Sequence, residues 1–360
     1  MTQPPASSGT NAYAASGVDI EAADTAVALM KGWVEKTSRP EVIGSIGGFA
    51  GLFDANALTR YHRPILATST DGAGTKVAIA RAMDVHDTIG FDLVGMVVDD
   101  LVVCGAEPLF MTDYIACGRV EPERIAAIVK GIAGACVEAG CALLGGETAE
   151  HPGLMEPDAY DLAGAATGVV EAGGLLGPGR VRPGDVVVAM SSSGLHANGY
   201  SLVRHVLLDR AGWALDRDVP ELERTMGEEL LAPTRIYAKA CLALAAETQT
   251  HAMAHITGGG LAANLARVIP EELSVTVDRA TWVPAPIFDV VRRVGAVSQD
   301  DLESTLNCGV GMVALMPPDD VDKALATLDR FGVHAWAAGE VAADDQRGGE
   351  VHLTGQYPGW

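Results

Sequence analysis

The sequence predicts an α/β fold, of the α+β kind, divided into two domains. Three observations predict it. The chain has 360 residues, more than one domain usually holds. Short apolar runs typical of strands alternate with helical patterns in both halves. The segment 173–179 (Gly-Gly-Leu-Leu-Gly-Pro-Gly) has the composition of a linker. We therefore predict a flexible N-terminal tail at 1–16, one domain at 17–172 and a second at 173–360.

The elements of the first half follow from apolar periodicity and from helix-ending residues. A helical pattern ends before Pro40, because proline disfavours helix in the residue before it, and another ends at Gly140, a typical C-cap. The predicted helices span 20–37, 86–104 and 121–139, and the predicted strands span 64–70, 109–117, 141–144 and 159–171.

The second half shows the same alternation. A buried strand over 185–190 is followed by a polar loop, 191–199, and then by a helix. The predicted helices span 200–210, 234–247, 259–268 and 319–331, and the other predicted strands span 252–256, 273–277, 307–316 and 333–341.

Composition excludes several classes of partner and site. The formal net charge is −22 and no basic stripe occurs, so we expect no nucleic-acid or membrane partner. The six cysteines form no Cys-x-x-Cys pair, which argues against zinc. Residues 1–16 lack the features of a secretory signal, and no apolar run is long enough to span a membrane, so we expect a cytoplasmic protein.

A glycine-rich turn follows the predicted strand 64–70. The run Thr70–Lys76 (Thr-Asp-Gly-Ala-Gly-Thr-Lys) combines a carboxylate, two glycines, two hydroxyls and a lysine. Glycines let backbone N–H groups turn toward an anion, and a lysine can meet phosphate oxygens. The pattern is not that of a P-loop. We interpret it as a phosphate site, with a plain polar turn as the alternative.

Two adjacent aspartates, Asp99 and Asp100, interrupt the apolar segment 93–103. Burying a carboxylate is costly unless it is paired or binds a metal. On a helix, Asp92 and Asp99 would share one face, since they are seven residues apart. We interpret the adjacent pair as a magnesium site together with Asp71. The alternatives are a solvated stripe on a half-buried helix, or pairing with an arginine.

The segment Gly145–Glu150 follows the predicted strand 141–144 and contains Glu147 and Thr148. Ligands gather at the carboxyl ends of strands in α/β sheets, so two carboxylates and a hydroxyl after glycines fit a metal or substrate loop. A bland turn explains the composition equally well, and both interpretations stay open at this point.

Hydroxyls, glycines and an amide are concentrated in the loop 191–199, just before a helix. This composition fits an anion site. His196 could act there as an acid, a base or a cation, although a lone loop histidine is more often a surface residue. The glycines 258–260 before another predicted helix fit a close ligand or tight packing. Lys31 alone reads as a solvated residue.

Nine segments along the chain occur in the order typical of one family. They are Tyr13 with Gly17–Ile20, Gly47–Phe49, Thr70–Lys76, His86–Gly90, Gly105–Phe110, Gly145–Glu150, Ser192–Ser201, His255–Gly260 and Asn307–Met312. Together they resemble phosphoribosylformylglycinamidine cyclo-ligase, also called aminoimidazole ribonucleotide synthetase, of purine biosynthesis. The sequence departs from the family at Asp99, where Asn is usual, and at Ala73, where Val is common.

The resemblance implies a two-domain subunit whose N-terminal sheets pair across a homodimer into a β-barrel. The domain 17–172 would bind ATP and dimerise, and the domain 173–360 would complete the active-site cleft. The implied reaction uses ATP and Mg²⁺ to convert formylglycinamidine ribonucleotide into aminoimidazole ribonucleotide, ADP and phosphate. ATP phosphorylates the formyl oxygen, and an amidine nitrogen of the same molecule attacks the activated carbon.

The resemblance also implies roles for single residues, and Lys31 is expected to cover the γ-phosphate. The implied magnesium ligands are Asp71, Asp100 and Glu147. The implied ATP contacts are Asp71, Gly72, Gly74, Thr75 and Lys76. The implied substrate contacts are Ser193, His196, Asn198, Glu147 and Thr148, and the implied catalytic residues are Lys31, His196 and Asp100.

Two other classes of function compete with this interpretation. Sibling ATP-dependent kinases, of the thiamine-phosphate kinase or selenophosphate synthetase type, share the fold. Selenophosphate synthetase would favour an N-terminal cysteine, but the first cysteine of this chain is Cys104. A non-catalytic nucleotide-binding protein is expected to have lost Asp71, Lys76 or Asp100, and all three are present. The residues therefore favour the cyclo-ligase.

Overall fold

The computed structural model describes residues 20–44, 47–344 and 348–360. The predicted tail, which includes Tyr13, the motif residues 17–19 and residues 45–46 lie outside the described residues. None of the described helices is both long enough and apolar enough to cross a membrane.

The elements are named here in chain order. The strands are β1 (Val42–Ile43), β2 (Leu52–Phe53), β3 (Pro64–Gly72), β4 (Glu107–Cys117), β5 (Ala142–Glu150), β6 (Tyr160–Glu171), β7 (Val186–Ser191), β8 (Asp218–Val219), β9 (Arg224–Thr225), β10 (Ala252–His255), β11 (Leu273–Asp278), β12 (Val310–Met316), β13 (Ala335–Ala343) and β14 (Val351–Thr354). The α-helices are α1 (Ile20–Glu35), α2 (Val77–Met83), α3 (Ile89–Val102), α4 (Pro122–Ala139), α5 (Tyr200–Arg204), α6 (Met226–Leu230), α7 (Ala238–Glu247), α8 (Gly260–Ala266), α9 (Pro286–Gly295), α10 (Gln299–Glu303) and α11 (Val321–Asp329). Short 3₁₀ turns include Ala55–Arg60 and Gly74–Lys76, and α5 continues as a π-helix over His205–Arg210.

The first half folds around a four-stranded sheet in the order β3-β6-β4-β5. Strand β6 pairs antiparallel with both neighbours, whereas β4 and β5 are parallel and are connected through α4. The apolar helix α3 covers one face of this sheet, where Leu162 and Ala166 are buried. On the other face Leu66 is 60% and Tyr114 41% exposed, so this face is open in a single chain.

The second half folds around a six-stranded sheet in the order β10-β12-β7-β13-β11-β14. All neighbours are antiparallel except β11 and β14, which run parallel. Every residue of β12 is buried beside β7. Strand β7 ends at Ser191, and the predicted polar loop therefore leaves from the middle of the sheet.

The structure differs from the prediction at two element boundaries in particular, and it contains elements that were not predicted. The strand predicted at 141–144 continues to Glu150, because the glycine-rich segment pairs with β4 instead of forming a loop. The helix predicted from 234 begins only at Ala238, because the N–H groups of Thr234 and Tyr237 donate to aspartates of α3. Strand β14 and helix α9 were not predicted, and β14 follows the strand expected to close the chain.

Candidate active site

The structure brings the predicted phosphate turn and the predicted substrate loop together. Gly74 has a φ of +66°, which glycine adopts without strain, and a Cβ added there would lie 3.9 Å from the carbonyl oxygen of Ala197. The hydroxyls of Thr75 and Ser201 are 3.2 Å apart. Gly74 and Thr75 are both exposed. The turn after β3 and the loop after β7 therefore form neighbouring walls of one site.

Lys76 is placed differently from the prediction. Its side chain is completely buried, and its ammonium donates to Asp92 Oδ1 and to the main-chain oxygens of His196 and Ala232. An ammonium has three N–H groups, and all three are used. In this arrangement no N–H of Lys76 is left for a ligand, so the predicted phosphate contact would require Lys76 to give up one of these bonds.

His196 is buried, whereas the sequence alone favoured a surface residue. Its Nε2 accepts a hydrogen bond from the backbone N–H of Ser193 at 3.0 Å. Burial is the main cause that holds the pKa of His196 well below its ordinary value, and repulsion from the nearby His255 and Lys76 lowers it further. The ring is therefore neutral, and the accepting Nε2 places its one proton on Nδ1. This Nδ1 has no hydrogen-bond partner among the described residues.

The other polar residues of the loop are bonded to neighbouring segments. The exposed Ser193 donates its hydroxyl to the main-chain oxygen of Pro233 at 2.7 Å. Asn198 is half-buried, and its amide nitrogen lies 3.0 Å from the sulfur of Met96. Asn307, in the turn before β12, donates to the carbonyl oxygens of Gly194 and Leu195, and these bonds hold the middle of the loop.

The adjacent aspartates of α3 have different environments. Asp99 is completely buried and accepts the backbone N–H of Tyr237 on both oxygens, and burial raises its pKa to about 7. Asp100 accepts Nδ1–H of His255 at 2.9 Å, and its side chain is 39% exposed. The solvated-stripe alternative does not fit Asp99. Only Asp100 of the pair has oxygen surface available to a metal.

Glu147 and Asp71 lie at opposite edges of the four-stranded sheet. Asp71 pairs with Gly164 and Asp113 in one cross-strand row, whereas Glu147 pairs with Tyr114 in the next. Three strand spacings separate the edges by about 14 Å, and adjacent rows project side chains to opposite faces. Asp71 and Glu147 of a single chain are therefore too far apart to share one magnesium ion. Thr148 follows Glu147 on the same edge strand.

Asp71 and Asp100 each have carboxylate surface available to a cation, although no contact among the described residues joins them. Asp71 is exposed, and one of its oxygens accepts only the adjacent N–H of Gly72. In the described part of the chain, no three or more His, Cys, Asp or Glu side chains are grouped as a metal site. Mg²⁺ commonly uses one or two carboxylates, with phosphates and waters completing the shell. Each of these aspartates, taken singly, has the donor chemistry for that mode.

A cavity of about 510 Å³ lies next to Glu147. Its lining includes Val34 at the end of α1, the glycine segment 47–51, and Asp113, whose pKa is raised to about 7 by burial. Lys31 is exposed one helical turn before Val34 and so lies on the same side of α1. The cavity is large enough for a small-molecule ligand.

Sequence reasoning missed several residues that hold the site. Thr234 and Tyr237 could not be identified from the sequence, because they lie in an irregular segment without apolar periodicity. Both donate hydrogen bonds to aspartates of α3. His255 was included only as part of a motif, yet it binds Asp100 directly. Asp92 was placed on one face with Asp99, but its bond to Lys76 depends on the tertiary fold.

Comparison with known proteins gives consistent results along the chain. The family model "AIR synthase related protein, N-terminal domain" matches residues 54–170, and the corresponding C-terminal model matches 182–352. Phosphoribosylformylglycinamidine cyclo-ligase of Geobacillus kaustophilus (strain HTA426) is 50% identical over 331 residues, covering 92% of this chain and 95% of the relative. The protein with this name from Geobacillus thermodenitrificans (strain NG80-2) is 49% identical, covering 96% and 98%.

Solved structures show the fold at lower sequence similarity. The crystal structure of thiamine-monophosphate kinase from Stenotrophomonas maltophilia K279a aligns with a TM-score of 0.68 over 91% of this chain and 96% of that chain. The two sequences are only 20% identical, so this likeness establishes a shared fold but does not identify the reaction.

Proposed function

This chain belongs to the phosphoribosylformylglycinamidine cyclo-ligase family, and from that membership we propose that it closes the imidazole ring of formylglycinamidine ribonucleotide in an ATP-dependent step of purine biosynthesis. The observation that carries the proposal is the 49% identity to a cyclo-ligase over 96% of the chain. The products are aminoimidazole ribonucleotide, ADP and phosphate. The kinase alternative has support at the level of the fold alone.

The nucleotide is proposed to bind at the turn after β3. The backbone of Gly72, Gly74 and Thr75 contacts its phosphates. Lys31, which lies on the same side of α1 as the cavity next to Glu147, covers the γ-phosphate from a second copy of the chain. Asp71 and Asp100 hold magnesium, which neutralises phosphate charge when bound. The free carboxylate oxygens of these two aspartates support the assignment.

The substrate is proposed to contact Ser193, His196 and Asn198. The unpartnered Nδ1–H of the neutral His196 is a donor suited to the formyl oxygen, on which negative charge develops as phosphate leaves. Asp100 and Lys31 act on the nucleotide side of the same reaction. Burial of the imidazole excludes water, which would otherwise compete with the amidine nitrogen.

We propose a cytoplasmic homodimer with domains at 17–172 and 173–360. The open face of the first sheet carries exposed Leu66 and Tyr114, which supports its pairing with a second copy into a barrel. Glu147 and Thr148 lie on the edge strand opposite Asp71. We therefore place them at the active site of the second subunit, where Glu147 completes the magnesium or substrate contacts.

The proposal is tested with purified protein, ATP, Mg²⁺ and formylglycinamidine ribonucleotide, following ADP and aminoimidazole together. Equal amounts of both products are expected, with activity abolished in Asp71→Asn and retained in the exposed control Asp319→Asn. Release of ADP without aminoimidazole would indicate a sibling kinase, and the cyclo-ligase proposal would then be rejected.

A further inference from the structure

The buried ion pair of Lys76 and Asp92 connects separate stretches of the chain. Both side chains are completely buried, and Lys76 Nζ lies 2.7 Å from Asp92 Oδ1. The other two N–H groups of Lys76 donate to the main-chain oxygens of His196 at 3.0 Å and Ala232 at 2.6 Å. One cation of the first half therefore holds two carbonyl groups of the second half.

Asp92 holds the same region two residues further along the chain. Its Oδ1 accepts the backbone N–H of Thr234 at 3.1 Å and the hydroxyl of Thr234 at 2.6 Å. We call residues 230–237 the connecting segment. Because Lys76 binds Ala232 and Asp92 binds Thr234, removal of either residue would free part of this segment.

The connecting segment is bonded in turn to the substrate loop. The carbonyl oxygen of Leu230 accepts the hydroxyl of Tyr200, and that of Pro233 accepts the hydroxyl of Ser193, each at 2.7 Å. Tyr237 donates its hydroxyl to the carbonyl oxygen of Ser191 at 2.7 Å. These bonds join the segment to the loop near both of its ends.

His196 itself adopts a conformation that needs outside support. Its φ is +63°, in the left-handed region that non-glycine residues adopt at an energetic cost. Such conformations persist where surrounding contacts impose them. The ammonium of Lys76 binds the carbonyl oxygen of this same residue, so the contact acts at the strained position.

We propose that Lys76 is a positioning residue which, with Asp92, fixes His196 and the connecting segment. This inference rests on the proposed function only in treating the His196 loop as the substrate site. Lys76 also ends the 3₁₀ turn Gly74–Lys76, whose backbone is proposed to meet phosphate. The ion pair therefore fixes the position of the turn Gly74–Lys76 relative to the loop 191–199.

Three variants test this role: Lys76→Met, Asp92→Leu and the double variant. Lys323→Met, at an exposed position of α11, is the matched control. Each is measured for thermal stability, ATP affinity by calorimetry, hydrogen exchange of 191–199 and 230–237, and steady-state kinetics. The double variant matters because replacing both charges by apolar groups avoids an unpaired buried ion, whereas each single change leaves one.

In Lys76→Met we expect faster exchange in both segments and kcat/KM lower by about a hundredfold, as for a misplaced catalytic group. The ATP Kd stays within about twofold, because no N–H group of Lys76 is left to contact phosphate. The double variant recovers stability but keeps the fast exchange, because the carbonyls of His196 and Ala232 still lack their donor. Recovery of stability with persistent fast exchange separates positioning from general destabilisation.

Two results would overturn the inference. One is an ATP Kd raised about tenfold or more with unchanged exchange, which would make Lys76 a phosphate ligand. The other is unchanged exchange and kinetics in the double variant. If the wild-type protein forms no aminoimidazole, the proposed function fails, and the exchange and ATP measurements still decide the role of Lys76.

Discussion

At His196, the neutral imidazole leaves one buried hydrogen-bond donor, Nδ1–H, without a partner among the described residues, and the backbone is strained. A neutral donor stabilises a developing oxyanion without first requiring a proton from solvent. The proposed role of His196 therefore depends on hydrogen-bond donation by an uncharged ring. The possibility raised from the sequence, that His196 acts as a cation near phosphate, does not fit a neutral imidazole.

Replacing His196 with Asn tests that role. Loss of the positioned donor should lower kcat by about a hundredfold, while ATP affinity stays unchanged. His205→Asn, at an exposed position of the π-helical stretch, is the control and should retain wild-type kcat. An unchanged kcat in His196→Asn would remove the residue from the mechanism.

Asp99 gives a prediction about stability and pH. Its folded pKa is raised to about 7 by burial, so between about pH 4 and 7 the folded state binds a proton that the unfolded state has lost. The stability contributed by this group therefore falls as pH rises through that range. Asp99→Asn should be more stable than wild type by roughly 2 kcal/mol at pH 8, with the difference shrinking toward pH 4.

The measurement is thermal unfolding of both proteins across pH 4–8 in the presence of a chelator. Asp319→Asn, at an exposed turn, should show no such trend. A difference that stays constant with pH would contradict a titrating Asp99, and a less stable Asp99→Asn at pH 8 would show that its charge is compensated in the fold.

Among the elements, helix α3 is placed by a close crossing with α4. A Cβ added at Gly90 would lie 2.1 Å from the backbone nitrogen of Ile132. Gly90→Ala should therefore destabilise the protein by about 1–3 kcal/mol and displace the aspartates of α3. Urea unfolding measures the loss, and the ring-closure assay detects the displacement.

Gly32→Ala is the control for that substitution. Gly32 lies on α1, and an added Cβ would meet no atom of the described residues within 4 Å. Alanine favours helix over glycine, so this change should stabilise the protein by about 0.5–1 kcal/mol. If Gly90→Ala were equally stabilising, the helix crossing could not be as close as described.

Most helices and strands could be predicted, because the spacing of apolar residues along the chain shows which face of an element is buried. The bounds of α4 follow from its apolar pattern and from Gly140, whose φ is +78°. Residues 145–150 were misassigned because glycines disrupt the strand pattern, while pairing with β4 supplies the hydrogen bonds. The bonds of Thr234 and Tyr237 to α3 could not be predicted, since they depend on tertiary contacts across 138–142 residues.

At the scale of the whole molecule, the sequence identified the polar segments of the site but not their arrangement. Asp71 and Glu147 each lie in a recognisable motif, yet the sheet order β3-β6-β4-β5 places them on opposite edges. Strand order is a long-range property that local patterns do not specify. The separation is compatible with a shared site only if a second subunit contributes to it.

The dimer is tested at Leu66, which lies exposed on the edge strand β3. Leu66→Arg should weaken self-association by at least about tenfold, because it places a charge within the proposed interface. Analytical ultracentrifugation measures the effect, and activity should fall with the dimer fraction. Val283→Arg, 70% exposed in the second half, should remain dimeric. A dimeric Leu66→Arg variant would place the interface elsewhere.

The central claim is that the formyl oxygen leaves as phosphate while the ring closes. We would supply substrate carrying ¹⁸O in its formyl group and determine the isotope content of the released phosphate by mass spectrometry, together with ADP and aminoimidazole. The account predicts one ¹⁸O in each phosphate, with one ADP and one aminoimidazole ribonucleotide formed per turnover. Unlabelled phosphate, or ADP formed without the ring, would contradict it.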